Sequence, residues 1–106
     1  MLAIFVRIIA RSTLASYRRR HRETERPLRD WLSVTQRAEW PDMQDVRAAF
    51  GKASIIDRER VVFDICGGNY RLIVAIKFSA EIVFVKFIGT HAEYDRIDAA
   101  TVDRHR

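Results

Sequence analysis

Residues 67–95 read GGNYRLIVAIKFSAEIVFVKFIGTHAEYD, and the alternation in this stretch decides the fold. Two strand-like runs flank Ser79 and Ala80, so a two-residue connection pairs Phe78 with Glu81. Ile76 then faces Val83, Val74 faces Val85 and Leu72 faces Phe87, which builds one apolar face. The opposite face sets Arg71 across from Ile88, Ile73 from Lys86, Ala75 from Phe84 and Lys77 from Ile82. The preceding run, residues 60–67, turns at Gly68-Asn69 and pairs Ile65 with Leu72, Phe63 with Val74 and Val61 with Ile76. An odd-length turn would drive Asp64 into the core, where an unpaired carboxylate costs roughly several kcal/mol. Arg60, Asp64, Arg71, Lys77 and Lys86 therefore share the second face.

Polar residues on one side of an antiparallel sheet are usually just solvated. Here Ile73, Ile82, Phe84 and Ile88 lie among the charges. A mixed apolar and cationic floor suits a nucleotide better than bulk water. Arg71 and Lys77 are about 20 Å apart along one strand and cannot serve one phosphate. Arg71 and Lys86 are diagonal neighbours at about 7 Å. The strand carrying Lys86 runs into Thr90-His-Ala-Glu93, a capping box that starts a helix at His91. Tyr94 follows on the same side as His91. Arg71, Lys86, His91 and Tyr94 form the expected catalytic group, with Lys77 and Arg60 at the other end of the face as RNA contacts. Cations with a titratable His and Tyr suit phosphodiester chemistry on RNA. No His, Cys, Asp or Glu has metal-ligand spacing, so no metal and no cofactor are expected.

The chain has 106 residues, 48% of them hydrophobic, and a net charge of +5. That fits a single domain over residues 1–106 with a core that needs no metal or disulfide. The single Cys66 reads as a strand residue across from Arg71. The apolar start MLAIFVRII is too short to span a bilayer and lacks a basic leader, so it reads as a further strand of the sheet, and the cytoplasm is the expected compartment. Arg18, Arg19, Arg20, His21 and Arg22 form a basic run, and Arg18, Arg19 and Arg22 are assigned to RNA binding. Ser12 is placed at the cap of a helix with Leu14, Tyr17 and His21 on one face. Pro27 opens a second helix with Leu28, Trp31, Leu32 and Ala38 as its stripe. Asp42 caps a third, with Val46, Ala49 and Phe50, ended by Gly51. Residues 53–57 suggest a short strand. The expected fold is α+β: an antiparallel sheet with N-terminal helices on one face, a short C-terminal helix, and the other face open. His21 and the tail residue His105 have no motivated role.

The segments WPDMQDVRAAF, VVFDICGGNYRLIVAIKF and VKFIGTHAEYD resemble the HigB toxin family, among the RelE-like mRNA interferases of bacterial toxin–antitoxin pairs. The resemblance covers roughly residues 31–95 and implies a RelE-like fold. Arg71, His91 and Tyr94 carry the match, and Asn69 and Lys86 fall inside it, Asn69 as an RNA contact. It also implies cleavage of translated mRNA on the ribosome by attack of the RNA's own 2′-hydroxyl. Arg71 would hold the phosphate, His91 would protonate the leaving oxygen, and Lys86 or Tyr94 would support the base. The helix N-terminus works against a cationic His91. The implied partners are the ribosome with its mRNA and a HigA-type helix-turn-helix antitoxin, with operator DNA reached only through the antitoxin complex and no membrane. Two other readings stand beside it. One is a non-catalytic module that binds RNA or protein. The other is a toxin of the same fold that acts on a topoisomerase.

Overall fold

The computed structural model describes residues 6–104. Its elements are β1 (Arg7–Ile9), α1 (Arg11–Arg20), α2 (Glu25–Gln36), α3 (Met43–Ala49), β2 (Ser54–Ile55), β3 (Arg60–Ile65), β4 (Tyr70–Lys77), β5 (Ile82–Thr90) and α4 (His91–Tyr94). Short 3₁₀ turns fill Arg22–Thr24, Cys66–Gly68 and Phe78–Ala80. The expected N-terminal strand is present as β1, and its first five residues lie outside the described part, as does His105. The fold is α+β, as the alternation predicts.

The five strands run in the order β1-β5-β4-β3-β2. The sheet is mixed rather than antiparallel throughout, because β1 lies parallel to β5, with Ile8 beside Val83. Three helices separate β1 from the rest of the sheet in sequence, which is enough chain for a parallel return. Between β4 and β5 the expected register holds at Val74↔Val85, Ala75↔Phe84, Ile76↔Val83 and Lys77↔Ile82. Beyond Val74 it slips by one. Leu72 meets Ile88, Ile73 meets Phe87 and Arg71 meets Gly89, because Lys86 sits in a bulge. Between β3 and β4 the pairs are Val61↔Val74, Phe63↔Leu72, Asp64↔Arg71 and Ile65↔Tyr70, two positions from expectation. The turn is longer than Gly68-Asn69. Cys66, Gly67 and Gly68 all take left-handed backbone, with φ of 55°, 64° and 98°. An even shift preserves the faces, so Val61, Phe63 and Ile65 still point into the core.

The core lies between the sheet and the helices. Leu14 and Tyr17 of α1, Leu28, Trp31 and Leu32 of α2 and Val46 of α3 pack on Val61, Phe63, Leu72, Val74, Val83 and Val85. Thr35 completes the α2 stripe, because the helix ends at Gln36 before Ala38. Pro27 sits third in α2, still within the first turn, where no backbone N–H is missed. Asp42 caps α3 by accepting from the Gln44 and Asp45 amides. Helix α1 starts at Arg11 behind Ala10, so Ser12 is not its cap.

The second face is not open. Arg60, Val62, Ile73 and Ala75 are buried there, although α1 to α3 pack on the other side. The chain after α4, residues 96–104, returns across it as a strap. Arg60 donates from Nη1 to the Ala99 carbonyl at 3.0 Å, and Lys86 Nζ donates to the Asp103 carbonyl at 3.0 Å. No helix among the described residues is long and apolar enough to cross a membrane.

Candidate functional site

The β3–β4 turn and α4 meet at one end of the sheet. Arg71 lies opposite Asp64, and its Nη1 is 3.3 Å from Asp64 Oδ1. The same Nη1 donates to the Gly68 carbonyl. A Cβ on Gly68 would come within 3.0 Å of Nη1, and the φ of +98° already disfavours a side chain there. The turn therefore wraps the guanidinium. Two acceptors use part of its five-donor fork, and its other face lies 5.7 Å from the centroid of the Tyr94 ring. Arg71 and Tyr94 are thus brought together, as expected.

Helix α4 is fixed at its start. His91 N–H donates to the Asn69 carbonyl at 2.9 Å, which ties the helix to the same turn. Thr90 Oγ1 accepts from the Glu93 amide at 3.1 Å, and Glu93 Oε1 accepts from the Thr90 amide at 2.8 Å. These bonds to Thr90 hold the Glu93 carboxyl below its usual range. The carboxylate folds over Gly89, where a Cβ would lie 2.9 Å from Glu93 Oε1 and 2.6 Å from Phe87 Cζ. A side chain at that position would have to displace the Phe87 ring and the Glu93 carboxylate.

His91 and Asp95 form a pair that the sequence reading did not use. His91 Nδ1 lies 3.0 Å from Asp95 Oδ2. A partner on Nδ1 orients the ring and leaves Nε2 for a substrate proton. The i, i+4 spacing in HAEYD carried this signal.

The remaining expected site residues divide. Lys86 is not a diagonal neighbour of Arg71: the bulge places Phe87 across from Ile73 and Gly89 across from Arg71, so about three strand positions, roughly 10 Å, separate the two. Its ammonium lies 5.6 Å from the Phe84 ring centroid and donates to the strap carbonyl of Asp103. Arg60, expected on an exposed face, is buried beneath the strap. Lys77 is exposed at the far end of β4, 3.9 Å from Glu59. Asn69 is exposed and holds α4 through its carbonyl. Arg18, Arg19 and Arg22 line a hollow of about 610 Å³ with Glu25, away from the sheet. Arg11, Arg18, Arg29 and Arg37 border a second, of about 420 Å³, between α1 and α2.

Behind the site, on the core side, His21 is more than one more member of the basic run. Its ring stacks on Tyr17 at 4.2 Å and meets Tyr70 edge-on at 5.7 Å. The Tyr70 hydroxyl donates to Glu23, which pushes the phenol up to about 12 and the Glu23 carboxyl down. Cys66 is in the turn rather than across from Arg71, and its Sγ contacts the Glu23 carbonyl at 3.1 Å. Burial pushes its thiol up, against a reactive thiolate. Among the described residues no three of His, Cys, Asp and Glu converge as metal ligands.

Residues 24–97 match the model of the HigB toxin family, described as the RelE-like toxic component of a toxin–antitoxin system. The chain belongs to the HigB toxin family. A search among curated proteins finds no match. As a HigB toxin the chain has an antitoxin for its partner. The matched span contains Arg71, His91 and Tyr94 together with Asp64, Asp95 and the turn that holds them, while β1 and α1 precede it.

Proposed function

We propose that this HigB toxin is an endoribonuclease that cuts translated mRNA on the ribosome by attack of the RNA 2′-hydroxyl. The observation that carries the proposal is the meeting of the Arg71 guanidinium, the Tyr94 ring and the His91–Asp95 pair around one turn. RNA supplies its own nucleophile, so the protein must orient it, move two protons and balance charge on the phosphorane. Arg71, held by Asp64 and Gly68, presents its remaining N–H groups to a phosphate. His91, backed by Asp95 at Nδ1, gives a proton from Nε2 to the leaving 5′-oxygen. Tyr94, packed along Arg71, supports removal of the 2′-hydroxyl proton, which passes to solvent water as the oxygen bonds to phosphorus. The products are a 2′,3′-cyclic phosphate and a 5′-hydroxyl. None of these steps needs a metal. The ribosome presents the mRNA, and the antitoxin is of the HigA helix-turn-helix type, reaching operator DNA as the complex. The compartment is the cytoplasm, where the ribosomes are.

Inducing the wild-type chain without its antitoxin and mapping the ends of cellular mRNA tests this. The expected result is growth arrest with cuts in translated message and cyclic or 3′-phosphate ends upstream of each cut. A 5′-phosphate with a free 3′-hydroxyl would overturn the mechanism, because it marks attack by activated water. Arrest with intact mRNA would point instead to another target, such as a topoisomerase.

A further inference from the structure

Residues 96–104 form a strap over the second sheet face, and the face beneath it has the makings of a binding surface. Its floor is apolar: Val62, Ile73 and Ala75 are buried, with Phe84 and Phe87 half-buried beside them. Its cations are Arg60 on β3 and Lys86 on β5, so the floor has one positive charge on each side of β4. Both cations now donate to strap carbonyls, Arg60 to Ala99 and Lys86 to Asp103. A bond to a carbonyl is charged on the donor alone, whereas a phosphate oxygen would bring charge to the acceptor as well and can meet a guanidinium bidentately.

The strap itself is lightly held. Asp98 closes it into a turn by accepting from the Ala100 amide through its side chain, and from the Thr101 and Val102 amides through its carbonyl. Ile97, Ala99, Thr101 and Val102 are only half-buried, and no strap residue is fully buried. The family match ends at residue 97, so Ala99 and Asp103, the two anchoring carbonyls, lie beyond it.

We propose that the strap is an intramolecular competitor for single-stranded RNA: it occupies a strip where Arg60 and Lys86 take phosphates and the apolar floor takes bases once the strap leaves. The strip runs from the Arg71–Tyr94 end across β3, β4 and β5, so a strand held there continues the path of the RNA through the site. This rests on the endoribonuclease reading, since it names the RNA as occupant. The strap lowers apparent affinity by the fraction of time it lies closed.

The test uses the full chain, isotopically labelled, with a short single-stranded 2′-O-methyl oligonucleotide. That probe lacks the attacking hydroxyl, so binding is read apart from cleavage. The amide resonances of Ala99, Thr101 and Val102 are expected to move to random-coil positions as the oligonucleotide saturates, while those of Ile73 and Ala75 shift by contact. Val102→Ser, which loosens the strap without cutting the chain, is expected to tighten oligonucleotide binding, by up to about tenfold if the strap is closed nine-tenths of the time. Strap resonances that stay put while those of Arg18 and Arg22 move would overturn the proposal and place the RNA on the helices. Unchanged affinity in a folded Val102→Ser variant would overturn it too. Either failure, alongside mRNA cleavage by the wild-type chain, leaves the endoribonuclease reading intact.

Discussion

Arg71 occupies a position where charge, packing and turn geometry all converge. Its side chain is 18% exposed, enough to reach a phosphate but already committed to Asp64 and Gly68. Arg71→Ala is expected to lower mRNA cleavage on the order of 10²–10³-fold, the usual cost of one well-placed charge-stabilising donor. Stability should fall by only about 1 kcal/mol or less, because the Asp64 pair is partly solvated. Lys77→Ala is expected to change cleavage little, since Lys77 is at the other end of β4 beside Glu59. Cleavage by induced cells and a melting curve for each variant check both; equal loss in the two would dissolve the site as drawn. At this scale the sequence was half legible. Strand parity put Arg71 on the right face and the capping box put Tyr94 near it. Parity says nothing about cover, and so Arg60, on the same face, was expected in solvent when it is buried. His91 was legible from its helix start, while Asp95 was passed over although it stands four residues on, at bonding spacing.

Among the elements, α4 is the smallest and the most dependent on its cap. A four-residue helix has no length to stabilise itself, so the Thr90–Glu93 box and the Asn69 carbonyl hold it in place. Glu93 sets a pH limit on that arrangement. Its folded carboxyl is lowered from the ordinary 4.5, chiefly by the Thr90 backbone bond. A lowered carboxyl contributes stability that is present above the ordinary value and lost as pH falls through the folded one. The melting temperature of the wild-type chain is therefore expected to fall, relative to Glu93→Gln, as pH drops below about 4.5. Gln keeps the box and removes the titration. Melting curves of the two chains from neutral pH downward check this, and parallel curves would remove Glu93 as the source. T-x-x-E made this element readable from the chain alone. The strand registers were not. The left-handed run of Cys66, Gly67 and Gly68 and the bulge at Lys86 shift the pairing in a run that is apolar on both faces, so alternation alone does not display them. The strap was illegible for another reason: residues 96–104 have no apolar periodicity to announce what they cover.

For the whole molecule, charge is distributed as unevenly as shape. The net charge is +5, and α1 with the turn after it concentrates Arg18, Arg19, Arg20 and Arg22 in one stretch, beside Glu23, whose carbonyl meets Cys66 of the Arg71 turn. A helical surface with this field attracts a polyanion over several ångströms and has no need of base contacts. Neutralising it should weaken RNA binding without touching the chemistry. Each phosphate contact adds about 0.7 to the slope of log affinity against log salt for single strands, and about 0.9 for duplex. Arg18→Gln, Arg19→Gln and Arg22→Gln combined should therefore flatten the slope for toxin on ribosomes by at most about 2 to 3. The change should fall below that ceiling, because Arg18 already lies 3.5 Å from Glu25 and Arg19 bonds Ser16. Cleavage at saturating toxin should stay near wild type, since none of the three touches the His91–Asp95 pair or Arg71. Ribosome binding measured across a salt series, beside the saturated rate, separates the two effects. A slope unchanged by the triple substitution would move the docking surface off α1, and a collapse of the saturated rate would show that these arginines reach the reacting phosphate after all.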